Sequence, residues 1–259
     1  MQNRKISILG DGGWGTTLSL LLSKKGFSVA LWSAFADYVK LLRKTRENKK
    51  FLPGFTIPDS ILITNNAEAA IEGSEAVILA APSKYLRSVA QKIKGIDLSK
   101  QIVISVVKGI EADTFKRPSE IITDELGFLN IAVLSGPTIA NEVAEGLPAS
   151  SVAASSNEQT AGQVQEIFMT ERFRVYTSPD TIGVELGGAL KNIIAIAAGI
   201  SDGLGFGTNA KAALFTRGLV EISRIGVALG AKQETFSGLS GMGDLVTTCV
   251  SLYSRNRYV

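Results

Sequence analysis

Ile6-Ser7-Ile8-Leu9-Gly10-Asp11-Gly12-Gly13-Trp14-Gly15 is the stretch on which the fold turns. Ile6 to Leu9 form a short apolar run that stops at glycine, as a strand buried on both faces of a parallel sheet does. From Trp14 to Lys25 the apolar residues Leu18, Leu21 and Leu22 recur at helical spacing, and Gly26 suits the turn that ends a helix. Gly10, Gly12 and Gly15 fit G-x-G-x-x-G, with Gly13 and Trp14 inside it. In that pattern the first glycine permits a tight turn, the second lets backbone approach a pyrophosphate, and the third allows close helix–strand packing. The pyrophosphate rests on the N-terminus of the following helix, where free N–H groups and the dipole favour negative charge. The hexapeptide alone is a weak signal, and a purely structural glycine turn is the competing reading. A strand before it and a helix after it give it the context of a dinucleotide site.

Working outward, Ser28 to Trp32 reads as a second strand. A helical stretch follows, then a Pro/Gly loop around Phe51-Leu52-Pro53-Gly54 and a strand from Ile61 to Thr64. Ala76 to Ala80, Ile102 to Val107 and Ile131 to Leu134 are further buried-strand candidates, mostly separated by helical segments. Such alternation argues for a parallel α/β sheet. After Ser135 the rhythm changes: Ser150 to Ser155 and Arg172 to Ser178 read as strands flanking a helix from Glu158 to Phe168. From Pro179 onward only helical patterns remain, at about 181–202, 208–230 and 242–250. The expected fold is α/β, an N-terminal Rossmann-type domain over 1–178 followed by an all-helical domain over 179–259.

Composition removes several chemistries. The 259 residues include no histidine and one cysteine, Cys249. A disulfide within the chain, the usual zinc sites and a histidine general base are therefore excluded, and no metal site is expected. Cys249 itself reads as a small core residue. The net charge is +3, but residues 1–50 hold ten Lys or Arg against three acids. Lys40, Arg43, Lys44, Arg46, Lys49 and Lys50 read first as a solvated helix face and second as an anion-attracting rim. Without interleaved aromatic residues, a nucleic-acid partner is not expected. The apolar run after Arg4-Lys5 is too short for a signal peptide. Leu186 to Ile200, interrupted by Lys191 and Asn192, falls short of the ~18 apolar residues a membrane span requires. A cytoplasmic protein with no membrane insertion is the expectation.

Cofactor choice is read at the end of the second strand. An acid there would bind the ribose of NAD, whereas a nearby Arg would suit the 2′-phosphate of NADP. Leu31-Trp32-Ser33-Ala34 carries neither, and Asp37 is placed too deep in the next helix. A missing carboxylate removes a repulsion, so NADP is favoured over NAD.

Five further segments carry candidate chemistry. Lys108 follows a strand, whose C-terminal end faces the ligand crevice in such sheets; it can meet an anionic substrate or be a surface loop lysine. Ser135-Gly136-Pro137-Thr138 closes another strand and can bring N–H groups to a ligand, or Thr138 can simply cap a helix with Glu142 in its first turn. Lys191 lies in a helix apolar nearly all round, Gly187 to Gly199, whose small residues admit close packing. Burial there lowers an ammonium's pKa and makes a neutral amine available as base; snorkelling to the rim is the alternative. Asp244, after the turn Gly241-Met242-Gly243, can orient an ammonium or a hydroxyl. Arg255, with Ser254 and Asn256, offers a fork for phosphate. Both tetrapeptides are unspecific, since helix-start aspartates and surface arginines are common.

Taken in order, these segments resemble the bacterial-type NAD(P)-dependent glycerol-3-phosphate dehydrogenases. The glycine loop with Trp14, Val107-Lys108-Gly109, Ser135-Gly136-Pro137-Thr138, Leu190-Lys191-Asn192, Gly243-Asp244-Leu245 and Ser254-Arg255-Asn256-Arg257 carry the likeness. It implies hydride transfer between sn-glycerol 3-phosphate and dihydroxyacetone phosphate, a supply of glycerol 3-phosphate for phospholipid synthesis, and by analogy a homodimer. By the family pattern Lys191 is the proton acceptor or donor at the C2 oxygen. Lys108, Gly136, Thr138, Asp244, Ser254, Arg255 and Asn256 map onto substrate contacts. Gly13, Trp14, Lys108, Ala140 and Arg255 map onto cofactor contacts. The sequence departs from the pattern at Ala34, where the family often has a basic residue. It also ends at Val259, where family members continue through further helices, so relative to the family either a truncated form or a sequence whose end is not included is expected. Rival readings are a lysine-dependent ketoacid or β-hydroxyacid reductase and a non-catalytic dinucleotide-binding module.

Overall fold

The structure, a computed structural model, describes residues 4–127 and 130–251. The first half runs β1 (Lys5–Leu9), α1 (Gly13–Lys24), β2 (Ser28–Trp32), α2 (Ala36–Thr45), then the short pair β3 (Glu47–Asn48) and β4 (Leu52–Thr56). It continues through β5 (Leu62–Thr64), α3 (Ala67–Ile71), β6 (Ser74–Leu79), α4 (Ser83–Lys92), β7 (Ile102–Ser105) and α5 (Pro118–Leu126). Next come β8 (Asn130–Ser135), α6 (Ala140–Glu145), β9 (Ala149–Ala154), α7 (Glu158–Phe168) and β10 (Phe173–Ser178). The remaining described elements are helical: α8 (Thr181–Gly203), α9 (Gly207–Ala228), α10 (Gln233–Phe236), a π-helical turn (Leu239–Gly243) and α11 (Asp244–Val250).

Eight strands form one sheet in the order β10-β9-β8-β7-β6-β1-β2-β5. Alternation along each central strand divides its side chains between two cores. Ile6, Ile8, Val29, Leu31, Ala76 and Ile78 face one cluster, with Leu18 and Leu22 of α1. Leu9, Ala30, Trp32, Val77 and Leu79 face the other, with Leu86 and Val89 of α4 and Ile121 and Ile122 of α5. Each fully buried aliphatic side chain contributes roughly 1.5–3 kcal/mol, so both faces must be covered by helices. The chain leaves β1 towards β2 and β5, then returns through β6 on the other side of β1. That reversal, at the carboxyl ends of β1 and β6, is where open α/β sheets hold ligands.

The structure departs from the sequence reading in four places. Leu52 to Thr56, expected in a loop, pairs antiparallel with Glu47–Asn48. The large sheet is not wholly parallel, because β8 and β9 run antiparallel. Asp37 sits in the first turn of α2 and is not deep within it. The glycine stretch before Asp244 is the π-helical turn, continuous with α11, and α10 before it was not expected.

Leu186, Ile194, Ala195, Ala198, Ile222, Phe236, Leu245 and Cys249 form the core of the helical part. By length and composition α8 could cross a membrane, but 67% of its most apolar window is buried inside the fold. Its burial is one-sided all the same. Ile193, Ile196 and Ile200 are exposed at helical spacing, joined by Leu204 and Phe206 beyond them.

Candidate active site

The glycine loop supplies its own test of fit for a dinucleotide. Gly10 has φ +134°, and a Cβ there would lie 2.6 Å from the Ala80 backbone of the strand end across the switch point. A Cβ on Gly15 would lie 2.0 Å from the Gly10 carbonyl, so α1 packs against the loop with no room for a side chain. Gly12 is different. Its φ of −67° suits any residue, and among the described residues no atom beyond its chain neighbours lies within 4 Å of where its Cβ would be. No described residue requires glycine there, whereas a ligand approaching the backbone would. Gly12 also stands at the N-cap of α1, whose first turn has neither a side-chain cap nor an acid, which leaves the helix end open to an anion. Trp14 is half-buried with its ring tilted against Phe173, centroids 6.4 Å apart. Ala140 begins α6 and comes next to Gly13, 3.8 Å from the Cβ that Gly13 lacks.

Two lysines and one aspartate form a cluster beyond the carboxyl ends of β7 and β8. Lys108 lies three residues after β7 and donates from Nζ to the Gly136 carbonyl at 2.8 Å and to Thr138 Oγ1 at 3.2 Å. The Thr138 hydroxyl donates on to the same carbonyl. Thr138 is therefore not a helix cap: α6 begins after Ile139, and no side chain caps it. Lys108 Nζ also pairs with Asp244 Oδ2 at 2.8 Å. The other carboxylate oxygen, Oδ1, accepts from Lys191 Nζ at 2.5 Å, and Lys191 donates as well to Thr248 Oγ1 at 2.6 Å.

Lys191 is 6% and Asp244 1% exposed, so the snorkelling alternative for Lys191 fails. Burial, seconded by the charge of Lys108, lowers the Lys191 pKa to about 8 against the partial opposition of Asp244. An amine of that pKa exchanges a proton near neutral pH in either direction. Asp244 lies at the start of α11, yet its carboxylate serves the two ammonium groups instead of capping the helix.

Close packing fixes where these groups stand. A Cβ on Gly187 would lie 2.5 Å from the Ser240 carbonyl of the π-helical turn, so α8 and the segment that delivers Asp244 touch backbone to backbone. Further along the same helix, Glu185 is buried. It accepts from Ser119 N, Ser119 Oγ and Arg117 Nη1, each at 2.7 Å. Burial pushes its carboxyl upward, opposed by the Ser119 bonds and the Arg117 charge. Glu185 thus fastens the helix carrying Lys191 to the start of α5.

The structure brings together Lys108, Gly136, Thr138, Lys191 and Asp244, and separately gathers Gly10, Gly12, Gly13, Trp14, Gly15 and Ala140. Ser254, Arg255 and Asn256 lie outside the described residues. Thr248 was missed, although its spacing four residues after Asp244 places both on one face of a helix. Glu185 carried no signal in the sequence.

Known proteins resemble the chain along nearly all of its length. The N-terminal pattern of NAD-dependent glycerol-3-phosphate dehydrogenase matches residues 5–161, and the C-terminal pattern matches residues 180–259. A glycerol-3-phosphate dehydrogenase [NAD(P)+] of Fusobacterium nucleatum is 49% identical over 255 residues, 98% of this chain and 76% of that one. The protein of the same name from Chlorobium phaeobacteroides is 52% identical over 258 residues, 98% of this chain and 77% of its own. The crystal structure of Coxiella burnetii glycerol-3-phosphate dehydrogenase superposes with a TM-score of 0.94 at 42% identity, covering 98% of this chain and 78% of that one. A ketopantoate reductase from Ralstonia eutropha shares the fold, with a TM-score of 0.65 at 18% identity over 88% of this chain and 76% of its own. With both halves matched and half of its residues identical to those of these relatives, the chain belongs to the NAD-dependent glycerol-3-phosphate dehydrogenase family.

Proposed function

We propose that the protein interconverts sn-glycerol 3-phosphate and dihydroxyacetone phosphate, with Lys191 as the general acid and base. The observation that carries this reading is the buried Lys191 amine, held between Asp244 and Thr248 beside Lys108. The dinucleotide, NAD or NADP, is held by Gly10 to Gly15 with Ala140 and supplies or accepts the hydride when bound. The chain's own groups handle the proton. Reduction of the ketone leaves negative charge on the C2 oxygen, and the Lys191 ammonium stabilises it and gives up a proton to it. In the reverse direction the neutral amine takes the proton from the C2 hydroxyl. Lys108, braced by Gly136 and Thr138, adds positive charge for a phosphorylated substrate. Ser254, Arg255 and Asn256 are assigned to the phosphate, an anchor remote from C2 that would fix the reacting carbon. The role in cells is the supply of glycerol 3-phosphate for phospholipid synthesis, in the cytoplasm. The enzyme is a homodimer in this reading, and the exposed apolar side chains of α8 give a second copy something to bury.

Initial rates with dihydroxyacetone phosphate and either NADH or NADPH test the assignment and the cofactor choice together. NADPH is expected to be used at least as well as NADH, because no carboxylate stands at the end of β2. Oxidation of neither by this ketone, together with turnover of a carboxylated ketone, would remove the phosphate substrate. Turnover of no ketone by a protein that binds dinucleotide would leave a binding module.

The pH dependence follows from the Lys191 pKa of about 8. Below it the ammonium predominates, so ketone reduction holds its rate at lower pH and falls as pH rises through about 8. Alcohol oxidation needs the neutral amine and should rise through the same region. Profiles of kcat/KM in the two directions should therefore cross. Two profiles of the same sense would assign the proton to another group.

A further inference from the structure

The hairpin of β3 and β4 brings no reactive group to the site, yet one of its side chains is tied to the glycine loop. Asn48 is fully buried. Its Nδ2 donates to the Asp11 carbonyl and to Thr16 Oγ1, both at 2.7 Å. Its Oδ1 accepts from the Tyr38 hydroxyl at 2.6 Å and from the Phe51 N–H at 3.1 Å. The amide's two hydrogens and both lone pairs of its oxygen are thus used. Its orientation is determined, because the Asp11 carbonyl can only accept and the Phe51 N–H can only donate. Burial, and after it the charge of Asp11, push the Tyr38 pKa up, so the phenol stays a donor. The same hairpin sets the Phe51 carbonyl 2.6 Å from where a Cβ on Gly13 would lie.

Four of the six residues from Gly10 to Gly15 are glycine, the residue that loses most backbone freedom on ordering. A loop of that composition, left loose, would add its ordering cost to every binding event. We propose that Asn48 is a positioning residue for the dinucleotide, acting through the Asp11 carbonyl and Thr16 to keep the loop in its binding shape before a ligand arrives. The inference rests on Gly10 to Gly15 being the dinucleotide loop.

The test is the Kd of NADH and NADPH, measured by fluorescence without turnover, on the full chain. Asn48→Asp keeps the shape and the acceptor facing Tyr38 and Phe51, but turns an oxygen towards the Asp11 carbonyl. It should raise the Kd by about tenfold, the scale of one buried hydrogen bond. The kcat at saturating cofactor and the KM for dihydroxyacetone phosphate should stay within about twofold. Tyr38→Phe and Thr16→Val each remove one partner and should raise the Kd less. An unchanged Kd in folded Asn48→Asp overturns the proposal. So does a fall in activity that only follows the loss of folded protein. Should Asn48→Asp not fold, an unchanged Kd in both single-partner variants overturns it equally.

Gly12→Val separates this proposal from the one beneath it. With no atom of the described residues beyond its chain neighbours within 4 Å of the new Cβ, the variant should fold like the parent and bind dinucleotide at least about a hundredfold more weakly. Undiminished binding by Gly12→Val would remove the loop assignment itself. Loss of binding there, with none in Asn48→Asp, would remove only the role of Asn48.

Discussion

Lys191→Ala should lower kcat by about a thousandfold, within the ~10²–10⁴-fold range of a positioned acid–base group, while the Kd for NADH or NADPH changes less than about twofold. The split follows from position. Among the described residues Lys191 bonds to Asp244 and Thr248, both in the helical part, and the glycine loop is built from other elements. The fold should not suffer. An ammonium whose pKa has fallen to about 8 is one that the folded state holds at a cost, and Asp244 keeps Lys108 as its partner after the substitution. Thermal stability equal to the parent, or slightly higher, is therefore expected. Stopped-flow rates, cofactor titration and a melting curve decide the matter. A variant that loses dinucleotide affinity and turnover in equal measure, with a depressed melting temperature, would make the lysine structural.

Asp244→Asn should act in a different way, on stability and on pH dependence at once. The carboxylate is shared by two ammonium groups, Lys191 on Oδ1 and Lys108 on Oδ2, and is itself buried. Breaking a buried pair from one side costs roughly 3–5 kcal/mol, because the remaining charge is left without compensation. Here two charges of the same sign would be left facing each other. Asp244 is also the group that holds the Lys191 pKa up against burial and Lys108. Its loss should lower that pKa further, so the alkaline fall in ketone reduction moves to lower pH. Denaturant unfolding and a pH–rate profile measure the two effects. Adding Lys108→Met should recover part of the lost stability, a coupling that a double-mutant cycle reads directly. Unchanged stability together with an unmoved profile would mean that Asp244 does not hold the pair.

Much of this architecture is legible in the residues before any coordinate. Ile6 to Leu9, Ala76 to Leu79 and Ile102 to Ser105 are nearly continuous apolar runs, and several such runs separated by helical segments fit a sheet covered on both faces. The direction of β9 is not legible, because a central strand buries both faces whether its neighbour runs with it or against it. Pro53 and Gly54 disguise β4, since both residues are common in loops. In the site, Lys191 draws attention because an ammonium stands in an apolar helix. Asp244 reads as an acid that can orient an ammonium or as a mere helix start, and its partner is hidden, since nothing in a sequence reveals that residues 53 apart share a bond. Asn48 and Glu185 are silent for the same reason. A polar side chain that is fully satisfied leaves no periodic trace, and its partners come from elements that only the fold assembles.

Cys249 lies at 0% exposure in the helical core, with burial pushing its thiol pKa to about 11, and it is the only sulfhydryl in the chain. A thiol reagent therefore has a single target, doubly protected by packing and by its protonated form. Its rate of labelling clocks how often the helices around Lys191 part, without an engineered probe. Slower labelling in the presence of dinucleotide and substrate would report directly that ligands clamp this bundle shut.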